Sequence, residues 1–423
     1  MTRLFVAAAT GLVLWFAAAP VAAQSTMEAL PFDAVVTRAM EHNPSVAVAA
    51  TTILRAEALL QQVRSTTLPR LSGTITNTTL DRGRSLGEQT VTPRQQAAMV
   101  ASASYPVLAA AQWAARAQVE DQIGLARLSA ADVRRETAVA AAQTYLVVVA
   151  QKRLVEVSER ALNTARAQRD FNQTRLEGGL GTQLNLLRSA QEVATNETRL
   201  EVVRLGVRRA QEALGVLVAA DGPIDTTGDV AFEVAMIGPE SAWMAARPDV
   251  ALGAAQQRAA ERVLADSRKD WWPTGTVAFD PQYLTPSGLF QPARTWRFTV
   301  LFSQPIFDGG LRRGLKAQRS AAVQAAQVSL DQVRLRARAE VRTAEAAVAA
   351  YERALAGARQ AAAHAADVLR ITILAFEAGA STNIEVVDAQ RMARDMETAA
   401  TQAEDSARQA RLDLAVALGQ FPR

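Results

Sequence analysis

At 423 residues the chain is long enough for two or three domains of ordinary size. Hydrophobic residues make up 49% but aromatics only 5%, which excludes wholesale disorder and suits long helices packed through small side chains better than one thick core. A formal charge of +4 is small for this length and leaves no nucleic-acid footprint, and the absence of cysteine excludes disulfides, thiolate metal sites and an N-terminal lipid.

Arg3 opens a short basic region, residues 4–19 are apolar, and Val21, Ala22 and Ala23 offer small residues for cleavage before Gln24. That is the pattern of a secretory signal peptide over residues 1–23. Beyond it no apolar run reaches the ~18 residues of a spanning helix, so any membrane crossing falls to strands. Residues 32–41 pattern as a short helix ended by Asn43-Pro44, because the residue before proline is pushed out of the α region. A second helix covers 45–66 and stops at Leu68-Pro69. Residues 71–80 are a Thr-rich strand candidate and 81–94 a polar loop. Residues 96–105 form a second strand with Met99, Ala101, Ala103 and Tyr105 on one face, closed by Pro106.

From 109 to 176 only Gly124 interrupts helical sequence. At ~1.5 Å per residue this is a rod of roughly 100 Å, which no compact domain holds. Val133, Ala140, Val147, Leu154 and Ala161 recur at sevens, with Ala150 and Val157 three residues after two of them, as in a coiled-coil seam. A turn follows at Gly178-Gly179-Leu180-Gly181, and a return helix runs from Thr182 to about Leu217. Asp221-Gly222-Pro223 ends it, and the stretch to Pro239 reads as irregular.

The pattern then starts again. Arg247-Pro248 matches Asn43-Pro44, Arg268 matches Arg64 and Pro273 matches Pro69, all at one offset; Pro305 then answers Pro106 and Gly379 answers Gly179 with small changes in spacing. Such self-similarity marks a tandem duplication. It gives a first repeat over 24–217, a joining segment over 218–247 and a second repeat over 248–423. In the second copy Val341, Val348, Leu355, Ala362, Leu369 and Phe376 step by seven, with Ala344, Tyr351, Ala358 and Ala365 at the other seam position.

In residues 295–304 Trp296, Phe298, Val300 and Phe302 alternate with Arg297, Thr299, Leu301 and Ser303, the period of a strand with one apolar face. A soluble fold would bury that stripe, whereas a transmembrane barrel shows it to lipid and lines a wet lumen with the other face. Ten residues is about what a tilted strand needs to cross a bilayer, and the barrel is the preferred reading. Trp271 and Trp272 stand just before the third strand, where an interfacial aromatic belt is expected.

With these residues in view, the chain resembles the TolC-like outer-membrane efflux proteins, the exit ducts of tripartite pumps and type I secretion systems. The likeness covers essentially all of the mature chain. It rests on Asn43-Pro44, Arg247-Pro248, Leu68-Pro69, Trp272-Pro273, the run Gln304-Pro305-Ile306-Phe307-Asp308-Gly309-Gly310 and the segment from Phe376 to Gln390. The resemblance implies a mixed α and transmembrane β fold. Three subunits would each give four strands to one shared β-barrel, continued by a long periplasmic α-helical barrel, with residues 218–247 in an equatorial belt. It also implies a place in the outer membrane reaching into the periplasm. The implied partners are outer-membrane lipid, a periplasmic adaptor and an inner-membrane pump of the RND or ABC type, with no cofactor. Four strands from one chain cannot close a barrel, and unpaired edges are not tolerated in lipid, so three copies are the consistent solution.

The resemblance places Glu385 and Asp388, three apart on one helix face, toward the pore at the periplasmic tip. Rings of carboxylates there would favour cations. Thr382 and Glu385 also have capping-box spacing, and the two roles can coexist. The first repeat offers Asn185 and Arg188 instead. Where some members lock the tip with a Tyr and an Arg, this sequence reads Phe376 and Ser381, so its closed state is held differently or weakly. The two turns, Gly179, Leu180, Gly181 and Thr182 with Gly379, Ala380, Ser381 and Thr382, are the expected adaptor contacts; glycine there also serves as a helix stop.

Enzyme readings find little support. His42 and His364 have no ligand-spaced companions, and no phosphate loop, nucleophile elbow or paired-carboxylate cleft is present. A structural periplasmic coiled-coil protein, with its strands in a soluble domain, is the alternative to a passive duct.

Overall fold

The computed structural model describes residues 27–421; the leader expected over residues 1–23 lies outside them. In chain order the first half comprises β1 (Ala29–Leu30), α1 (Phe32–His42), α2 (Pro44–Ser65), β2 (Arg70–Thr79), β3 (Arg84–Leu86), β4 (Gln89–Thr92), β5 (Gln95–Leu108), α3 (Ala110–Glu177) and α4 (Gln183–Leu217). The second comprises β6 (Asp225–Thr226), α5 (Glu240–Ala246), α6 (Pro248–Asp266), a 3-10 turn, β7 (Thr274–Thr285), β8 (Arg294–Ser303), α7 (Leu311–Glu377) and α8 (Asn383–Ala417). The long helices run 68 and 67 residues, and each return helix runs 35.

Each long helix lies against two shorter ones, α2 and α4 along α3, α6 and α8 along α7. The residues before the repeated prolines join the shorter helices end to end. Asn43 caps α2 by accepting the Ser45 N–H at 2.8 Å, and its own amide donates to the Leu217 carbonyl at the end of α4 at 2.8 Å. Arg247 does the same work in the second repeat, donating to the Ala417 carbonyl at 3.0 Å while Asp249 and Glu340 neutralise its buried guanidinium. Helix ends leave carbonyls without partners, and here each repeat supplies its own donor.

Four strands form one antiparallel sheet in the order β2-β5-β7-β8, so β2 and β8 are open edges and β5 against β7 joins the repeats. In this sheet β2, β5 and β8 begin within a residue of the expected positions, and the structure departs from expectation at two places. Pro106 does not close the second strand: β5 continues to Leu108 through a register shift between Pro106 and Leu108, the irregularity that accommodates a residue with no N–H to give the ladder. Residues 81–94 are not a plain loop, since β3 and β4 pair across a turn in which Gly87 has φ 62°.

The apolar core sits at the middle of the rods. One cluster packs Val35 and Ala39 of α1 against Tyr145 and Val148 of α3, Leu214 of α4 and Ile224 of the joining segment. A second packs Trp243 of α5 against Val341 and Val348 of α7 and Leu414 of α8. A third, with Val36, Ala138, Leu146 and Leu412, binds the two halves together. The joining segment is strapped down by β1 pairing with β6 in parallel and by the Tyr145 hydroxyl donating to the Thr227 carbonyl at 2.7 Å. In the second repeat the series of sevens from Val341 is found, with Val341, Val348 and Phe376 buried and Leu355, Ala362 and Leu369 half-buried, although Tyr351 at the other seam position is exposed. In the first the seam is only part of what is buried: Val157 is buried and Val147 is 42% exposed, while Ala138, Ala141, Ala142, Tyr145, Val148 and Val149 are buried beside it. Covered by α1, α4 and α8 at once, α3 buries more than one stripe.

Candidate functional site at the hairpin tips

The two turns at the far ends of the rods share one backbone solution. After α3 the Leu180 N–H donates to the Arg175 carbonyl at 2.8 Å and the Gly179 N–H to the Leu176 carbonyl at 3.0 Å. After α7 the Ala380 and Gly379 N–H groups repeat these bonds to Ala375 and Phe376 at 2.8 and 3.0 Å. Both are Schellman closures, which require a left-handed residue; Gly179 at φ 74° and Gly379 at φ 77° provide it. Leu180 is 77% exposed at the outermost point, and nothing stands within 4 Å of where a Cβ at Gly179 or Gly379 would be.

Beyond each turn a threonine begins the return helix. Thr182 accepts the Asn185 N–H at 3.3 Å through its hydroxyl. At the other tip the Glu385 carboxylate reaches back to accept the Thr382 N–H at 3.0 Å and the Ser381 hydroxyl. The Ser381 bond first, and the Thr382 bond with it, hold the Glu385 carboxyl below its usual range. Asp388 is exposed on the same face. Asn185 is half-buried, and Arg188 is exposed.

Phe376 is buried, as its place in the sevenfold series requires. Its ring is only 7% exposed and packs edge-on to Phe171 at 5.8 Å, with the Arg175 guanidinium 5.3 Å from its centre. It therefore joins α7 to α3 rather than facing open space. Ser381 makes no such cross-link; its hydroxyl is taken by Glu385.

Two polar ties between the repeats were not foreseen. Asn383, 3% exposed, accepts from the Gln168 and Asn172 amides at 3.1 and 2.9 Å and donates to the Asn185 carbonyl at 3.4 Å, joining α3, α4 and α8. Farther along the rods Glu192, 2% exposed, accepts from Arg391 at 2.8 Å and Arg394 at 3.1 Å, and Asn196 completes the group. A signal existed for the first: Gln168 continues the sevenfold series from Ala161, and a polar residue on a seam fixes register. Among the described residues no cluster of His, Cys, Asp or Glu could hold a metal ion, and no helix is long and apolar enough to cross a membrane.

The family model for outer membrane efflux proteins matches residues 35–220 and 241–420, once for each half of the chain. This chain belongs to the outer membrane efflux protein family. No curated protein sequence matches it. Solved structures of similar fold include CusC, at 16% identity and TM-score 0.81 over 93% of this chain and 92% of that one. VceC of Vibrio cholerae matches at 16% identity and 0.75, over 92% of this chain and 96% of that one. CmeC of Campylobacter jejuni matches at 14% identity and 0.77, over 93% and 87%. As an outer membrane efflux protein the chain resides in the outer membrane and extends into the periplasm.

Proposed function

We propose that this protein is one third of a passive exit duct, a homotrimer whose subunits share one β-barrel in outer-membrane lipid and one α-barrel in the periplasm. A periplasmic adaptor and an inner-membrane RND or ABC-type pump would deliver substrates and supply the energy. The observation that carries this reading is the open four-stranded sheet, with Trp296, Phe298 and Phe302 exposed on one face and two unpaired edges. Such edges are stable in lipid only when neighbouring copies pair with them. The accessible surface of 26738 Å² points the same way, since a compact monomer of this length exposes about 16,000 Å². Extraction is the direct test: the mature protein should need detergent, migrate as a trimer and conduct ions in planar bilayers, whereas a soluble folded monomer would end the proposal.

At the tip, Glu385 and Asp388 are the proposed selectivity ring, and the exposed Leu180 with Gly181, Thr182 and the 379–382 turn form the proposed adaptor contact. Glu385→Gln with Asp388→Asn should lower cation preference in single-channel recordings, and unchanged reversal potentials would refute the ring. Leu180→Asp should abolish efflux while trimers persist; normal drug tolerance would refute the contact.

A further inference from the structure

The sheet carries interior charge on one face only. Pairing places Phe298 opposite Phe279 and Val300 opposite Val277 on the aromatic face, and Arg297 opposite Asp280 on the other. Ser102 of β5 donates to one Asp280 oxygen at 2.5 Å, and Arg297 Nη2 donates to the second at 3.3 Å. Ser72 of β2 pairs with Ser102, so one polar level crosses all four strands. The only other Asp, Glu, Lys or Arg in these strands are Arg70 and Arg294, the first residues of β2 and β8.

Exposure separates the two partners. The Asp280 side chain is 14% exposed with both oxygens engaged, whereas that of Arg297 is 77% exposed and directs most of its five N–H donors away from the pair. A planar guanidinium fixed at one corner is prearranged to receive a two-oxygen acid. We propose that Arg297, positioned by Asp280 and Ser102, is a docking point within the barrel lumen for passing solutes that carry a carboxylate or phosphate group. The inference rests on the duct reading, which makes the non-aromatic face the lumen and repeats the site three times around it. The barrel then selects by a charge opposite to that of the acidic tip.

The test is single-channel recording of the full-length protein with inorganic pyrophosphate added on the barrel side. Wild-type pores should show concentration-dependent block, and the half-blocking concentration should rise about tenfold or more in Arg297→Ala, the scale of a lost hydrogen-bonded charge. Arg297→Gln, which keeps side-chain length, should lose the block in the same way if the alanine variant assembles poorly. Asp280→Asn should tighten the block by removing the counter-charge. Wild-type pores indifferent to pyrophosphate, or equal block in wild type and both Arg297 variants, would overturn the docking point and leave the duct standing. Absence of wild-type pores would overturn the duct and this inference with it.

Discussion

Where α3 turns into α4, Thr182 offers its hydroxyl to the Asn185 N–H; where α7 turns into α8, the Glu385 carboxylate reaches back to the Thr382 N–H. The second tip thus carries the whole reciprocal cap, and the first, with Asn185 where the other has Glu385, only its hydroxyl half. The Schellman closures beside them are superimposable in bonding, but a Cβ at Gly181 would stand 2.7 Å from the Leu176 nitrogen, while the second tip admits Ser381 in the corresponding place. Duplication has kept the backbone solution and released the side chains. The second tip gained the carboxylates and Asn383, and the first the tighter turn. What the repeats share is therefore stability, and where they differ is the place to look for gating.

The largest expected effect concerns the tie between the repeats. Glu192→Ala leaves the buried Arg394 with only the exposed Asp395 as a carboxylate partner and should lower stability by up to about 3 kcal/mol, read as the unfolding midpoint in detergent. An unchanged midpoint would mean that the hairpins stand independently. Gly179→Ala and Gly379→Ala should each cost about 1–2 kcal/mol, since both place a Cβ on a left-handed residue. A marked inequality between them would break the claim that the turns are equivalent.

A pH dependence centred on one carboxyl of the second repeat sharpens the comparison differently. Burial pushes Asp405 of α8 up to about 6, because the neighbouring guanidinium of Arg153 from α3 is shared with Glu404 and with Asp229 of the joining segment. Arg408 is likewise divided among Asp229, Glu404 and Asp405, and Arg359 of α7 pairs with Glu404. Between its ordinary value of 3.8 and about 6 the folded chain keeps a proton that the unfolded chain has lost. Stability should therefore fall as pH rises through that window, by up to about 1.4 kcal/mol per unit, and level off above it. Asp405→Asn should reduce the slope, leaving the share of Asp413, which burial also raises; an identical pH profile would refute the assignment.

Much of the fold was legible because its signals are local. The alternation around Trp296, the prolines at 44, 69, 248 and 273, and the glycines at 179 and 379 mark element boundaries within a few residues of themselves. The second repeat's seam was readable because α7 buries one narrow stripe. What escaped depends on partners far along the chain. The partners of Phe376, Phe171 and Arg175, lie some two hundred residues earlier, Asn383 is buried because Gln168 and Asn172 arrive beside it, and α3 departs from a simple seam under three covering helices. No local signal marks Glu192, because its arginines lie some two hundred residues later.

The parallel pairing of Ala29 and Leu30 with Asp225 and Thr226 bears on how the molecule is built. All of the cluster around Tyr145, and the apolar residues packed on it, come from residues 30–230. A polypeptide threaded N-terminus first into the periplasm can thus complete that nucleus once its middle has emerged, while the remainder is still in transit. The face carrying Val36, Ala138 and Leu146 then waits as a landing plate for Leu412. Construction from two halves in sequence follows from where a two-residue strand finds its mate.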